Sequence, residues 1–201
     1  ETDDSVYTFT SAGGLKTVAL NRHKAKPCNG NGSDNHDVIL MNNGIDLLVF
    51  SLDGIDDSEF SMVADRGIVT MVSTNQAGIR ITKEFRAGTN YLLHSTITLT
   101  NPKTKPLELP QRKLMLGTAM PLQAGGRYPV WGAQWHNGAD MEDIDEGWFA
   151  NRTLGCFPGT ARSQFVSAGQ PVNWVGVHNR FFAMTTMPME GATGGRVYSI
   201  K

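Results

Sequence analysis

Alternating apolar and polar residues in the middle of the chain constrain its fold more than any other sequence feature. Ile79 and Ile81 alternate with polar residues through residues 78–86, and residues 91–100 alternate in the same way. The four residues between these segments, Ala-Gly-Thr-Asn, are typical of a turn. Because a period of two residues indicates a half-buried strand, the sequence predicts a long antiparallel hairpin over residues 78–100.

Several other short segments alternate similarly or are continuously apolar, and Gly and Pro residues separate many of them. We predict further strands over residues 6–10, 15–20, 47–52, 67–73, 172–178 and 180–187. The segment 47–52 is an uninterrupted apolar run, which favours a strand buried on both faces, and the last two favour a hairpin through Asn179. Only residues 139–151 fit one or two helical turns, and a solvated acidic loop fits them as well. The pattern therefore predicts a mainly β chain, with residues 1–201 forming a single domain.

Composition and charge exclude several classes of function. The chain has 201 residues and a formal net charge of -1, so it lacks the basic excess that drives nucleic-acid binding. No apolar run approaches the length of a membrane-spanning helix. The chain begins at Glu1 without a signal peptide. We expect either a cytosolic protein or a fragment separated from its targeting segment.

No residue pattern in the chain meets the requirements of a metal site or a catalytic centre. The Asn-rich segment 29–37 resembles a calcium loop but has Asp34 where the loop needs Gly and Leu40 where it needs Glu. No two of the five histidines stand at helical zinc-site spacing, and no nucleophile elbow occurs. We therefore predict no metal, no cofactor and no enzymatic activity. Cys28 and Cys156 form either one disulfide or two free thiols.

One aromatic segment stands out as a candidate binding surface. Trp131, Trp135 and His136 lie close to five carboxylates between residues 140 and 146. Exposed aromatic side chains favour interfaces, and an acidic surround favours a basic partner. We take these three residues as candidate partner-binding residues. The competing interpretation is that the aromatic side chains pin their own loop to the domain.

Three segments resemble, in order, the periplasmic domain of YidC-type membrane protein insertases. Residues 9–20 resemble its first strand pair joined by a Gly-Gly turn, with His23 a few residues on. Residues 81–91 resemble its Lys-x-Phe strand, turn and Tyr, and residues 97–108 the strand that follows. The strongest resemblance is residues 172–188, with Trp-Val, an aromatic-Phe pair and a closing Pro. Residues 117–169 match none of these motifs.

The resemblance implies a two-layer antiparallel β super-sandwich related to galactose mutarotases. It also implies an inner-membrane protein whose membrane-spanning segments lie outside this fragment, with this domain on the periplasmic side. The expected role is binding or scaffolding during insertion and folding of inner-membrane proteins, with nascent membrane proteins and translocon subunits as partners. The alternative is a carbohydrate-binding or aldose-epimerase-like sandwich. A purely structural domain that spaces membrane helices is a third interpretation.

Overall fold

The computed structural model describes residues 1–25, 36–40, 48–109, 111–118, 131–153, 157–190 and 192–200. The chain divides into two compact units, Glu1–Met115 and Leu116–Lys201. In the described ranges both units are built from antiparallel strands, and the one α-helix has five residues. The predicted mainly β fold with packed antiparallel sheets is confirmed. The single domain over residues 1–201 stays a prediction.

The described residues of the first unit form two antiparallel sheets. Its strands are β1 (Ser5–Thr10), β2 (Gly14–Ala25), β3 (His36–Leu40), β4 (Ser61–Asp65), β5 (Ile68–Thr74), β6 (Arg80–Ala87) and β7 (Leu93–Thr100). The sheets have the strand orders β1-β2-β3 and β4-β5-β6-β7, so each strand pairs with its sequence neighbour. The predicted hairpin over residues 78–100 is confirmed as β6 and β7, paired from Arg80↔Thr100 to Ala87↔Leu93.

The two sheets of the first unit pack through an aromatic and aliphatic core. Alternation along β6 buries Ile81 and Phe85 and leaves Arg80 and Arg86 exposed. The ring of Phe9 on β1 lies 4.7 Å from that of Phe85, centroid to centroid, which joins the two layers. The other buried members of this core are Ile55, Phe60, Met71 and Ile79.

The apolar run at residues 47–52 does not form the predicted strand in its described part, residues 48–52. Val49 is buried and forms only an isolated bridge to Leu15, and Leu52 forms another to Leu114. Phe50 takes a left-handed backbone conformation with φ 66°, and Ser51 donates its N–H to the carbonyl of Leu48. The chain therefore turns where an apolar pattern alone predicted an extended segment.

A buried lysine lies on the core face of β6. Lys83 has no solvent exposure, and its Nζ donates to the carbonyls of Gly13 at 2.5 Å and Phe50 at 2.9 Å and to Oδ2 of Asp56. The same atom lies 4.8 Å from the centroid of the Phe60 ring. The ammonium group thus ties the β1–β2 turn and the 50–56 segment to the centre of the second sheet.

Gly13 is required at that turn for two reasons. Its φ of 92° favours glycine, and a Cβ there would overlap the ring of Phe60. Its carbonyl oxygen is one of the acceptors of Lys83. The turn therefore ends at Gly13, Gly14 is the first residue of β2, and the carbonyl of Gly13 accepts a hydrogen bond inside the core.

The second unit is organised around a four-stranded sheet. Its elements are β8 (Gly132–His136), β9 (Met141–Asp145), α1 (Glu146–Ala150), β10 (Arg152–Thr153), β11 (Phe157–Pro158), β12 (Gln164–Val166), β13 (Gln170–Val172), β14 (Trp174–His178), β15 (Ala183–Thr186), β16 (Ala192–Gly195) and β17 (Tyr198–Ile200). The main sheet has the order β15-β14-β8-β9, and the described residues of this unit also form three two-stranded pairs, β10-β11, β12-β17 and β13-β16. The predicted final hairpin is confirmed as β14 and β15. Of the predicted helical segment 139–151, only residues 146–150 are helical, because residues 141–145 form β9 instead.

Among the described residues we find no helix whose length and hydropathy would let it cross a bilayer.

We expect Asp56→Ala to lower the free energy of unfolding of the first unit by about 3–5 kcal/mol, because it leaves the Lys83 ammonium buried without its counter-charge. Glu84→Ala is the matched control, since Glu84 forms the exposed pair of β6 with Arg86 at 3.4 Å. That variant should change stability by less than about 1 kcal/mol. Urea unfolding of both variants makes the measurement, and equal losses would contradict the role assigned to Lys83.

The stability of the first unit should also depend on alkaline pH. Burial lowers the pKa of Lys83 below its ordinary value of 10.5, while the hydrogen bond and charge of Asp56 oppose that shift. Between the lowered pKa and 10.5 the unfolded chain binds more protons than the folded chain, so the contribution of Lys83 to stability rises with pH. Lys83→Met should remove this part of the rise. The measurement is the urea midpoint of the parent and of Lys83→Met over a series of pH values. If the two curves differ only by a constant offset, the predicted pH dependence is wrong.

Candidate functional site

The three predicted binding residues lie on or beside β8, an inner strand of the main sheet of the second unit. Trp135 pairs with Val175 on one side, and His136 pairs with Trp174. On the other side β8 pairs with β9 along its whole length. Trp131 immediately precedes the strand. The sheet therefore brings the predicted aromatic and acidic segments together.

Trp135 is part of the core of the second unit. Only 2% of its surface is exposed, and its ring centroid lies 5.2 Å from that of Phe165. Ala133, Ile144, Phe149 and Val197 are the other buried members of this cluster. A ring in this position contributes to packing and presents no surface to a partner while the unit stays folded.

Trp131 and His136 are both half-buried. The imidazole Nδ1 of His136 accepts the backbone N–H of Gly138 at 3.1 Å, and the amide nitrogen of Asn173 lies 3.3 Å from the same atom. These contacts hold the ring at the β8–β9 turn. The assignment of Trp131, Trp135 and His136 to partner binding stays a prediction, and Trp131 and His136 are the two of the three with accessible surface.

The acidic segment forms an edge strand of the sheet. Among the described residues β9 pairs with β8 alone, and Glu142, Asp143 and Asp145 are exposed along it, as is Asp140 just before it. Asp145 also begins α1, because its carboxylate accepts the backbone N–H of Trp148 at 2.9 Å. Alternation along β9 places Asp143 and Asp145 on the face of the sheet that carries His136, and Glu142 on the face that carries Ile144, so exposed carboxylates occur on both sides of this strand.

A second exposed feature lies at the opposite edge of this sheet, and the sequence interpretation missed it. Phe181, Met187 and Met189 flank β15 with exposed fractions of 71%, 63% and 84%. The signal available in the sequence was the absence of any charged residue from 181 to 189. That run was interpreted as an ordinary strand, because composition does not reveal which apolar side chains are covered.

The described residues contain no group of three His, Cys, Asp or Glu side chains that could hold a metal ion. The calcium-like segment 29–37 lies largely outside the described residues, and Cys28 and Cys156 lie outside them entirely. Whether those two cysteines form a disulfide or two thiols therefore stays open.

The fold places the chain among the mainly β proteins built from packed antiparallel sheets. The family model of the YidC periplasmic domain matches residues 47–201, so the chain belongs to the YidC periplasmic domain family. The match includes residues 117–169, which the recognised motifs did not cover, and excludes the first motif at residues 9–20. Searches of curated proteins and of solved structures gave no significant match. Domains of this family are the periplasmic parts of inner-membrane insertases, and the family is not an enzyme family.

We expect Trp135→Ala to destabilise the second unit by about 3–5 kcal/mol, the usual range for a buried Trp truncated to Ala. His136→Ala on the same strand should cost only about 1 kcal/mol, because it removes hydrogen bonds at a half-buried turn. Urea unfolding of the two variants gives the comparison. A Trp135→Ala variant as stable as the parent would show that the ring is not a core element.

Proposed function

We propose that this domain binds and scaffolds polypeptides on the periplasmic side of the inner membrane while an insertase inserts and folds membrane proteins. Its partners are nascent membrane proteins and translocon subunits. Family membership supports the insertase context. The chemistry of the surface around β8 and β9 supports partner binding as the role of this domain in the insertase.

One observation carries the proposal: an acidic edge strand lies next to half-buried aromatic residues. The carboxylates of Asp140, Glu142 and Asp143 are exposed, and Trp131 and His136 lie on the neighbouring strand or next to it. Clustered carboxylates attract a basic partner and raise its association rate at low salt. Aromatic side chains then add contact area with few rotatable bonds. A basic segment of a translocon subunit or of a nascent chain has the complementary chemistry.

The competing explanation is that the carboxylates only protect the sheet edge. Charged side chains on an edge strand prevent pairing with other chains, and many proteins use them in this way. The two explanations differ in what touches β9 in the membrane. If the carboxylates bind a partner, contact is specific and sensitive to salt, whereas edge protection leaves the strand without a regular neighbour.

Photo-crosslinking in the full-length protein in its membrane tests this difference. A photoreactive residue at Glu142 should capture a translocon subunit or a nascent chain, and capture should fall as salt is raised because the attraction is screened. Thr98 on β7 is the matched control, since it is also exposed on an outer strand but has no carboxylate cluster. Reversing both charges, Glu142→Lys with Asp143→Lys, should lower capture from a photoreactive residue at neighbouring Asp140 severalfold.

Equal capture from Glu142 and Thr98, or capture from Asp140 that charge reversal leaves unchanged, would contradict the assignment of this surface. Capture only from positions outside residues 131–146 would place the partner on another face.

A further inference from the structure

The turn between β8 and β9 contains an asparagine followed by a glycine. Asn137 is half-buried, and Gly138 is exposed with a φ of 96°. In an Asn-Gly pair the main-chain nitrogen of the glycine can attack the side-chain carbonyl carbon of the asparagine, because glycine has no side chain that hinders the approach. The turn therefore holds both reactants of an intramolecular cyclisation, and the groups around them determine its rate.

The attacking nitrogen is hydrogen-bonded to a base. The N–H of Gly138 donates to Nδ1 of His136 at 3.1 Å, and the side-chain amide nitrogen of Asn173 lies 3.3 Å from the same Nδ1. An imidazole nitrogen that accepts an N–H carries no proton of its own, so the proton of the neutral ring lies on Nε2. Nδ1 is therefore placed to take the proton of the attacking nitrogen, as a general base does.

The carbon that is attacked belongs to a carbonyl group with two donors. Oδ1 of Asn137 accepts the backbone N–H groups of Ala139 at 2.9 Å and Asp140 at 2.8 Å. Negative charge develops on this oxygen when a nucleophile adds to the carbon, and two main-chain donors stabilise that charge as in an oxyanion hole. Nδ2 of Asn137 donates to Oε1 of Glu142 at 3.3 Å, which orients the side-chain amide. A nucleophile, a base and oxyanion donors thus occur together within residues 136–140.

We propose that Asn137 is a site of intramolecular deamidation, which residues 136–140 promote in the folded protein. His136 takes the proton of the Gly138 nitrogen while this nitrogen forms a bond to Cγ of Asn137. The bond between Cγ and Nδ2 then breaks, and the proton passes from the imidazolium to Nδ2, which leaves as ammonia. Water hydrolyses the cyclic imide at one of its two carbonyl carbons, and the products are aspartate or isoaspartate at position 137.

Deamidation changes the acidic edge in charge and in geometry. The new carboxylate replaces the amide that donates to Glu142, so two negatively charged acceptors face each other there. Isoaspartate also lengthens the main chain of a turn that Asn137 closes by donating its N–H to the carbonyl of Asp140 at 3.1 Å. The effect on partner binding rests on the proposed function of this edge, whereas the reaction itself does not.

The competing explanation is that the same hydrogen bonds only hold the turn and protect Asn137. Asparagine side chains commonly accept main-chain N–H groups in turns, and such contacts restrict the motion of the amide. The two explanations predict opposite effects of folding on the rate of deamidation. The contact between Gly138 and His136 favours promotion, because it supplies a proton acceptor to the attacking atom.

Peptide mapping by mass spectrometry tests the proposal. The 201-residue chain and a synthetic peptide of residues 133–141 are incubated at neutral pH, and aspartate and isoaspartate at position 137 are quantified over time. We expect deamidation to be at least about tenfold faster in the folded chain than in the peptide, which is a conservative value for a positioned general base. A folded chain that deamidates no faster than the peptide would overturn the proposal, and this comparison requires no variant.

His136→Gln separates proton transfer from the structure of the turn. Glutamine retains an acceptor for the N–H of Gly138 but does not take its proton, so the rate at Asn137 should fall about tenfold or more. His178→Gln on β14 is the matched control, since His178 is also half-buried in the same sheet, and it should leave the rate unchanged. Circular dichroism confirms that each variant is folded.

Each digest also contains internal references. These are the three other Asn-Gly pairs of the chain, which lie outside the described residues, at positions 29–30, 31–32 and 43–44. Their rates should not respond to His136→Gln. Equal rates at Asn137 in the parent and in a folded His136→Gln variant, or an equal fall at all four pairs, would contradict the role assigned to His136. Neither measurement involves a partner, so the proposed function can fail while this reaction is confirmed, and the reverse.

Discussion

The buried contact between Lys83 and Asp56 is the constraint on which the first unit depends. One ammonium group lies in the apolar core and bonds to the turn at Gly13, to the carbonyl of Phe50 and to a carboxylate 27 residues away in sequence. A buried ion pair contributes little net stability compared with apolar packing, but either partner alone is strongly unfavourable. The Lys83 ammonium therefore links the β1–β2 turn and the 50–56 segment to β6, and a packing that separated them would leave a buried charge without its partner.

The hairpins could be predicted from the sequence because the features that indicate them, alternation and turn residues, lie within one short segment. In β6–β7 and β14–β15, alternation and turn residues agree, and the structure confirms both. The segment after residue 47 has equally apolar residues, yet the left-handed backbone of Phe50 turns it. The same alternation placed Lys83 on the core face, but nothing local identifies Asp56 as its partner. Contacts between distant segments were the part that sequence alone could not supply.

The candidate binding residues show the same division between local and distant information. Trp135 and Ala133 share the inward face of β8, so a period of two puts Trp135 in the core once the strand is recognised. The sequence interpretation left residues 125–138 as a long loop or an irregular strand and grouped Trp135 with the half-buried Trp131. Conversely, Met189 is exposed although it belongs to an uncharged, largely apolar run whose composition is typical of buried residues. Exposure depends on what packs above a residue, and for these residues that information comes from other strands.

The nested pairing of residues 164–172 with residues 192–200 has a consequence for the order of folding. β12 pairs with β17 and β13 with β16, so in the part of the chain that the structure describes the strands between residues 164 and 172 find their partners among residues 192–200. Ser167 and Val197 also exchange two hydrogen bonds, and Val197 is buried against the core that contains Trp135. In a chain synthesised from its N-terminus, the sheet β4–β7 consists of sequential hairpins and can form as its residues emerge. The core around Trp135 lacks Val197 until residues 192–200 are made, so a chain synthesised only as far as residue 190 combines a folded first unit with an apolar surface still open to chaperones and proteases.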